Sequence, residues 1–195
     1  MIRVVAWLLG VVAAFAVAGY GWVYFKSEQY LSATRPFVPV KISVPGDAAS
    51  IREGQRLASV RGCNGCHGRQ LQGEVLFNDP KIARIVAPNL TAAARKYDDA
   101  QLAGIIKGGV RPDGRSMIVM PSQVYMHMSD DDLGRVIAYV KSVPAVQGPE
   151  PSVTVGPLGR VGLAMGKFKV VSEEISQGTA PPTVPDGSPA ARGPA

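Results

Sequence analysis

Residues 63–67 read Cys-Asn-Gly-Cys-His, and they contain both cysteines of a chain of 195 residues. Two cysteines cannot form the framework of several bridges that holds a small disulfide-rich domain together. Because only two residues separate them, they act together: as a redox pair, as part of a metal site, or as the anchor of a bound group. The histidine that follows adds a side chain able to bind a metal.

The Cys-x-x-Cys-His spacing is the attachment pattern of haem c. Two thiols on one turn of chain can add to the two vinyl groups of one haem, and the next histidine then lies under the iron as its proximal ligand. We therefore predict one covalently bound haem c per chain. Cys63 and Cys66 carry it, and His67 binds its iron.

Three other readings of this motif fit the sequence less well. A thioredoxin-like pair would follow a strand in a βαβ pattern, which is missing here. A zinc site needs two more ligands, and His127 is the only other histidine. A local disulfide would leave the position of His67 unexplained.

An electron carrier with six-coordinate iron needs a ligand on the opposite haem face. The candidates are Met117, Met120, Met126, His127 and Met128. We predict Met120, because Pro121 holds it in extended chain just before the last helix. His127 would give a bis-histidine haem of lower potential, and the other methionines suit ordinary packing. If no side chain binds, the open iron site would suit an enzyme or a gas sensor.

Helical patterns surround the motif. A helix begins at Asp47 and ends near Gly62, a second runs from the N-cap Asp98 to Lys107, and a third begins at Ser129 and ends at Pro144. No segment carries a convincing strand pattern, and residues 68–87 read as a loop with a short helical turn. The sequence predicts an all-α fold of three to five helices around the haem.

The N-terminus carries a separate apolar signal. Residues 4–25 are uncharged and are bracketed by Arg3 and Lys26. As a helix, 22 residues span roughly 33 Å, enough to cross a bilayer. We predict a transmembrane anchor over residues 1–26. A signal peptide cleaved after Ala18 is the alternative, and both readings send the rest of the chain across the membrane.

Composition divides the remaining chain into three parts. Residues 27–46 contain three prolines and read as a tether, residues 47–146 hold the haem domain, and residues 147–195 read as an extended, largely disordered tail. Within this tail, residues 158–168 have enough apolar side chains to lie against the domain or the membrane surface. Residues 177–195, rich in Pro, Gly, Ala and Ser, are predicted to be disordered.

The formal net charge is +6, which suits an acidic partner or an anionic membrane surface. The basic residues are scattered without a Lys/Arg run, so we expect no binding to nucleic acid. There is no carboxylate pair, serine-nucleophile motif or phosphate loop. We therefore predict an electron-transfer protein rather than an enzyme, with the chemistry carried by its cofactor.

The order of these features resembles class I c-type cytochromes over residues 47–146. Within that class the sequence is similar to the haem domains in the cytochrome subunits of membrane-bound alcohol and gluconate dehydrogenases. Those subunits carry three haem motifs, whereas this chain carries one and matches a single domain. The resemblance lies in residues 87–91, 109–115, 120–122 and 128–144.

The resemblance implies a haem crevice, crossing first and last helices, and Met120 as the sixth ligand. It also implies that the carbonyl of Pro88 accepts a hydrogen bond from Nδ1 of His67, which would orient the ring. Arg111 and Arg115 would pair with the haem propionates.

From these features we expect a membrane-tethered monohaem cytochrome at the bacterial inner membrane, with its haem domain in the periplasm. Its partners would be redox proteins: a dehydrogenase, a quinol-oxidising complex or a terminal oxidase. The alternative is a cytochrome subunit of a multi-chain dehydrogenase or oxidase complex. A haem enzyme or gas sensor with open iron is the third function.

Overall fold

The computed structural model describes residues 1–177. Helices dominate that range, which agrees with the predicted class I cytochrome c fold and long apolar N-terminal helix. The helices are α1 (Ile2–Ser32), α2 (Ala48–Val60), α3 (Cys63–His67), α4 (Leu90–Lys96), α5 (Asp99–Gly108), α6 (Ser122–Tyr125), α7 (Asp130–Ser142), α8 (Pro157–Ala164) and α9 (Val171–Ser176). The strands are β1 (Val75–Asp79), β2 (Ala83–Val86) and β3 (Ser152–Val155).

The three predicted helices begin at the predicted caps. The carboxylate of Asp47 accepts hydrogen bonds from two backbone N–H groups at the start of α2. Asp98 and Gln101 form a reciprocal capping box on α5. The Ser129 hydroxyl caps α7, whose first turn holds three aspartates at the positive end of the helix dipole.

Helices α2 and α7 cross closely and form the centre of the domain. Each presents one apolar face, and their buried residues join one core with α4, α5 and α6. The crossing is tight at Gly54, where an added Cβ would lie 1.9 Å from the backbone oxygen of Arg135. Only glycine therefore permits this approach of the two backbones.

The structure corrects the prediction that the chain has no strands. Strands β1 and β2 form a hairpin inside residues 68–87, and β3 pairs with β2 on its other side, all antiparallel. Each strand has four or five residues and no fully alternating burial, so the two-residue period is weak. The partner of β2 also lies far along the chain, where a local pattern cannot reveal it.

The N-terminal helix is longer than predicted. Helix α1 continues past residue 26 to Ser32, and it is the one helix among residues 1–177 long and apolar enough to cross a membrane. By length and composition alone, a signal sequence would pass the same test. No part of its most apolar window is buried in the protein.

The segment predicted as a tether lies against the haem domain after α1 ends. The N–H of Val40 donates to the carbonyl of Ala100 over 3.0 Å. The backbone of this segment also passes close to two glycines. A Cβ added to Gly104 would lie 2.5 Å from Val38 O, and a Cβ added to Gly134 would lie 2.1 Å from Ser43 O. Residues 33–46 are thus held on α5 and α7, which opposes the free swinging that a flexible tether would allow.

The predicted tail is folded over much of its length. Residues 152–176 form β3, α8 and α9, which correct the prediction of an extended, disordered segment. Helix α8 lies against α1, and the N–H of Val171 donates to Met117 O over 3.0 Å. Disorder was predicted from residue 177 onwards, and residues 178–195 lie outside the described residues.

Candidate functional site

The two cysteines and the histidine share a single turn of helix. Glycines with positive φ bound α3 on both sides, Gly62 at 83° and Gly68 at 81°. Such angles suit glycine and let the chain enter and leave the turn sharply. Cys63 is half-buried, Cys66 is exposed, and no disulfide joins them.

The ring of His67 is buried and held in one orientation. Its Nδ1 lies 2.8 Å from the carbonyl oxygen of Pro88, the contact that the resemblance implies. Since a carbonyl only accepts hydrogen bonds, Nδ1 carries the proton and Nε2 keeps its lone pair. Burial lowers the pKa of His67 below 6.5, and the hydrogen bond to Pro88 partly opposes this shift. A neutral ring with a free Nε2 is the form that binds iron.

Two backbone hydrogen bonds hold the Pro88 segment in place. Ala87 donates to Glu74 O and Leu90 donates to Leu71 O, each over 2.8 Å. Leu71 is the only non-glycine residue with positive φ among residues 1–177 (60°), and its side chain is fully buried in the core. Burial of a leucine offsets the cost of this backbone conformation, about 1 kcal/mol.

Asn89 extends this support, and the sequence analysis missed it. Its side-chain oxygen accepts from the N–H groups of Thr91 and Ala92, capping α4, and its Nδ2 donates to Val146 O over 2.7 Å. The residue next to Pro88 is thereby fixed to the chain that follows α7. The asparagine before a helical Leu-Thr-Ala-Ala stretch is a readable N-cap signal.

The candidate iron ligands in residues 117–128 have different surroundings. Met126 and His127 are exposed, whereas Met128 is buried within the core. The backbone N–H of Met117 donates to Gly109, and its carbonyl accepts from residue 171. Met120 is half-buried at the edge of the core that Cys63 also borders. Its role as sixth ligand stays a prediction.

A second contact absent from the sequence analysis joins the Met120 loop to the cysteine turn. Helix α6 begins directly after Pro121 and carries Tyr125, whose buried hydroxyl donates to the carbonyl of Arg61 over 2.9 Å. Burial raises the pKa of Tyr125 to about 12. The hydroxyl therefore stays protonated at physiological pH and keeps donating.

The residues at this site fit a covalently bound haem. Two thiols on one turn and a histidine with a free Nε2 supply the required donors. Asn64 Oδ1, which lies between the two cysteines, is buried and has no hydrogen-bond partner. An unpaired buried polar atom beside the cysteines suits a ligand with polar substituents.

The two arginines implied as propionate partners lie on one loop. Arg111 forms an ion pair with Asp113 at 3.3 Å, and its N–H donates to the carbonyl of Arg115, whose side chain is exposed. The N–H of Arg35 donates to Gly114 O over 2.8 Å, which places the loop beside the end of α1. Pairing with haem propionates stays a prediction for both.

Comparison with known proteins adds an independent finding. Residues 51–144 match the family model described as Cytochrome c, from within α2 to just beyond the end of α7. The curated proteins contain no match to this chain. The match includes both cysteines and His67, and it agrees with the donor set and the mostly helical fold.

Proposed function

Since residues 51–144 form a cytochrome c domain that binds haem c covalently, we propose that this chain is a membrane-tethered electron carrier. The proposal places α1 in the bacterial inner membrane and the haem domain in the periplasm. The observation that carries it is His67: buried, held by Pro88 through Nδ1, and adjacent to two thiols on one turn.

Haem c, when bound, supplies one-electron chemistry through its iron. The protein's residues fix and tune that group. Cys63 and Cys66 would hold it covalently, and Nε2 of His67 and the sulfur of Met120 would bind its iron. A thioether ligand raises the reduction potential relative to a second histidine. The hydrogen bond to Pro88 keeps the ring of His67 from rotating.

The exposed surface of α1 supports an anchor that is retained. Cleavage after Ala18 would leave Trp22 and Phe25 on the mature protein, where their exposed fractions are 58% and 62%. Adjacent exposed aromatics are unfavourable in water but suit the interface of a bilayer. Lys26 lies over the Trp22 ring, 4.8 Å from its centroid, as expected at the boundary with water.

Charge near the cysteine turn supports a negatively charged redox partner. Arg52, Arg61 and Arg69 are all exposed around α2 and α3, whereas Arg56 is paired with Glu53 at 2.7 Å. Exposed positive charge steers an acidic partner towards the site, and salt weakens that attraction. A dehydrogenase, a quinol-oxidising complex or a terminal oxidase would fill this role.

One surface favours the second function, a subunit of a dehydrogenase or oxidase complex. Phe77, Ile85 and Val153 are paired across the three strands, so their side chains share one face of the sheet. Phe77 and Val153 are exposed there. An exposed apolar row suits a lasting contact with another chain. Stable co-purification with a large partner, lost in Phe77→Ser, would favour the subunit over the free carrier.

Visible spectra of the exported, haem-loaded protein test the proposal. We expect a sharp reduced α band and a far-red Met–iron band that Met120→Leu abolishes and the control Met126→Leu retains. Reduced wild type should not bind carbon monoxide. Carbon monoxide binding to wild type would instead indicate open iron, and a far-red band that survives Met120→Leu would exclude Met120 as the ligand.

A further inference from the structure

The segment at residues 157–169 leaves one apolar face uncovered. Leu158, Met165 and Phe168 are exposed by 60%, 66% and 52%. Within α8, Leu158, Val161 and Gly162 follow the spacing of one helix face, and Met165 continues it just beyond the helix end. The Phe168 ring lies over this face, because an added Cβ on Gly162 would be 2.4 Å from it.

The other sides of α8 are occupied by the protein. Gly159 lies against the turn between β1 and β2, where an added Cβ would be 2.2 Å from Ile82 O, and Leu163 is buried. These contacts fix the rotation of the helix about its axis. The apolar face is therefore directed away from the domain by its packing.

Helix α8 also lies at the end of the apolar part of α1, where aromatic residues give way to charged ones. The guanidinium of Arg160 lies 4.0 Å from the centroid of the Tyr24 ring. It donates to Ser27 Oγ over 2.9 Å and forms an ion pair with Glu28 at 3.0 Å. Tyr24, Ser27 and Glu28 come shortly after Trp22 along α1, where a membrane-spanning helix would leave the lipid. Helix α8 therefore lies at the level expected for lipid headgroups.

The charge of the segment suits an anionic lipid surface. Residues 151–172 contain no Asp or Glu, whereas Arg160, Lys167 and Lys169 are cationic. Both lysines are exposed and flank Phe168. An apolar helix face bordered by cations is the composition of helices that lie in the membrane interface.

We propose that residues 157–169 form a second membrane contact, with Leu158, Met165 and Phe168 inserted among the lipids and Lys167 and Lys169 at anionic headgroups. This proposal rests on the proposed anchoring of α1. Together the two contacts would hold the haem domain in one orientation at the membrane surface, in place of a carrier that swings on a tether.

Thiol accessibility in the full haem-loaded chain tests this contact. Cys63 and Cys66 are consumed by the haem, so single cysteines can be introduced as Met165→Cys, Phe15→Cys or Asp131→Cys. All three positions are exposed on the protein, which therefore shields none of them. The variants are placed in nanodiscs of phosphatidylglycerol and phosphatidylcholine and treated with a charged, membrane-impermeant maleimide, with the haem spectrum as the check of folding.

We expect rapid labelling of Asp131→Cys, none of Phe15→Cys, and labelling of Met165→Cys at least about tenfold slower than Asp131→Cys. Adding Lys167→Gln and Lys169→Gln to Met165→Cys should speed its labelling in anionic discs and not in phosphatidylcholine alone. Equal rates at Met165→Cys and Asp131→Cys, with Phe15→Cys protected, would overturn the second contact and leave the anchor standing. Labelling of Phe15→Cys would overturn the anchor and, with it, the contact.

Discussion

The carbonyl oxygen of Pro88 lies 2.8 Å from Nδ1 of His67, across a sequence separation of 21 residues. The intervening chain contains the β1–β2 hairpin, and the hydrogen bonds at Ala87 and Leu90 return it to the histidine. The orientation of the proximal ring therefore depends on backbone well outside the Cys-x-x-Cys-His motif.

Asn89 is the first test of that support. Replacing it with Ala removes the N-cap of α4 and the bond to Val146, and should lower the free energy of unfolding by about 1–2 kcal/mol. Asn89→Asp keeps the capping oxygen and loses only the donor to Val146, so it should cost less. Denaturant unfolding of the three proteins measures this. Equal losses in both variants would mean that the bond to Val146, rather than the cap, stabilises the segment.

Gly54 tests the helix crossing. The Cβ of Gly54→Ala would lie 1.9 Å from Arg135 O, so α2 and α7 must move apart. We expect a loss of about 1–3 kcal/mol in unfolding free energy, as for overpacked cores. The control is Gly108→Ala. Gly108 is the last residue of α5, and nothing lies within 4 Å of an added Cβ there, so this substitution should leave the stability unchanged or raise it slightly. Equal stability of the two variants would contradict the tight crossing.

The hydroxyl of Tyr125 is the third target. Tyr125→Phe leaves the carbonyl of Arg61 without this donor and should cost about 1 kcal/mol in thermal or denaturant unfolding. Tyr139→Phe is the matched control, because the Tyr139 ring is buried in the same core and its hydroxyl has no hydrogen bond within residues 1–177. An equal loss of unfolding free energy in both variants would show that the hydrogen bond of the Tyr125 hydroxyl does not stabilise the fold.

Arg160 links the N-terminal helix to α8. Arg160→Ala removes an ion pair, a hydrogen bond and a cation–π contact, and hydrogen exchange of residues 157–164 should rise clearly. Arg160→Lys keeps the charge but cannot donate to Ser27 and Glu28 in the same planar geometry, so it should restore only part of the protection. Full protection in Arg160→Ala would show that burial of Leu163 alone holds α8.

The lowered pKa of Asp47 predicts that the stability contributed by its carboxylate depends on pH. The Ser50 side chain, followed by backbone N–H donors, holds the pKa of Asp47 below its ordinary value of 3.8. A lowered pKa means that the carboxylate stabilises the folded state above the unfolded pKa and loses this effect as pH falls through the folded one. Any stability advantage over Asp47→Asn should therefore shrink below about pH 4, as urea unfolding at several pH values would measure. A difference that does not change with pH would contradict this assignment.

The sequence predicts those parts of the fold that depend on neighbours along the chain. Asp47, Asp98 and Ser129 cap helices where expected, because a cap needs only the next three residues. Strand β3 and helix α8 depend on β2 and α1, more than 60 residues earlier along the chain. The sequence alone therefore predicts an extended tail from residue 147, although tertiary contacts order β3, α8 and α9 within it.

The candidate site shows the same difference between local features, which the sequence predicts, and distant contacts, which it does not. Residues 63–67 are readable because ligand spacing within one turn is a local property. Tyr125 was missed because its partner, Arg61, lies 64 positions away, and Asn89 because Val146 lies 57 away. Identification of Met120 depends on which side chain faces the iron, and this remains for spectroscopy to test.

Because β3 lies late in the chain, the protein can finish folding only after this strand has been synthesised. As the chain is synthesised, residues 63–67 emerge well before α7 and β3, which complete the domain. Until those later segments arrive, α2 lacks its main packing partner and β2 has one free edge. Cys63 and the ring of His67, which are partly or fully buried in the folded domain, thus have an interval of greater access to solvent, and haem attachment is easiest within that interval.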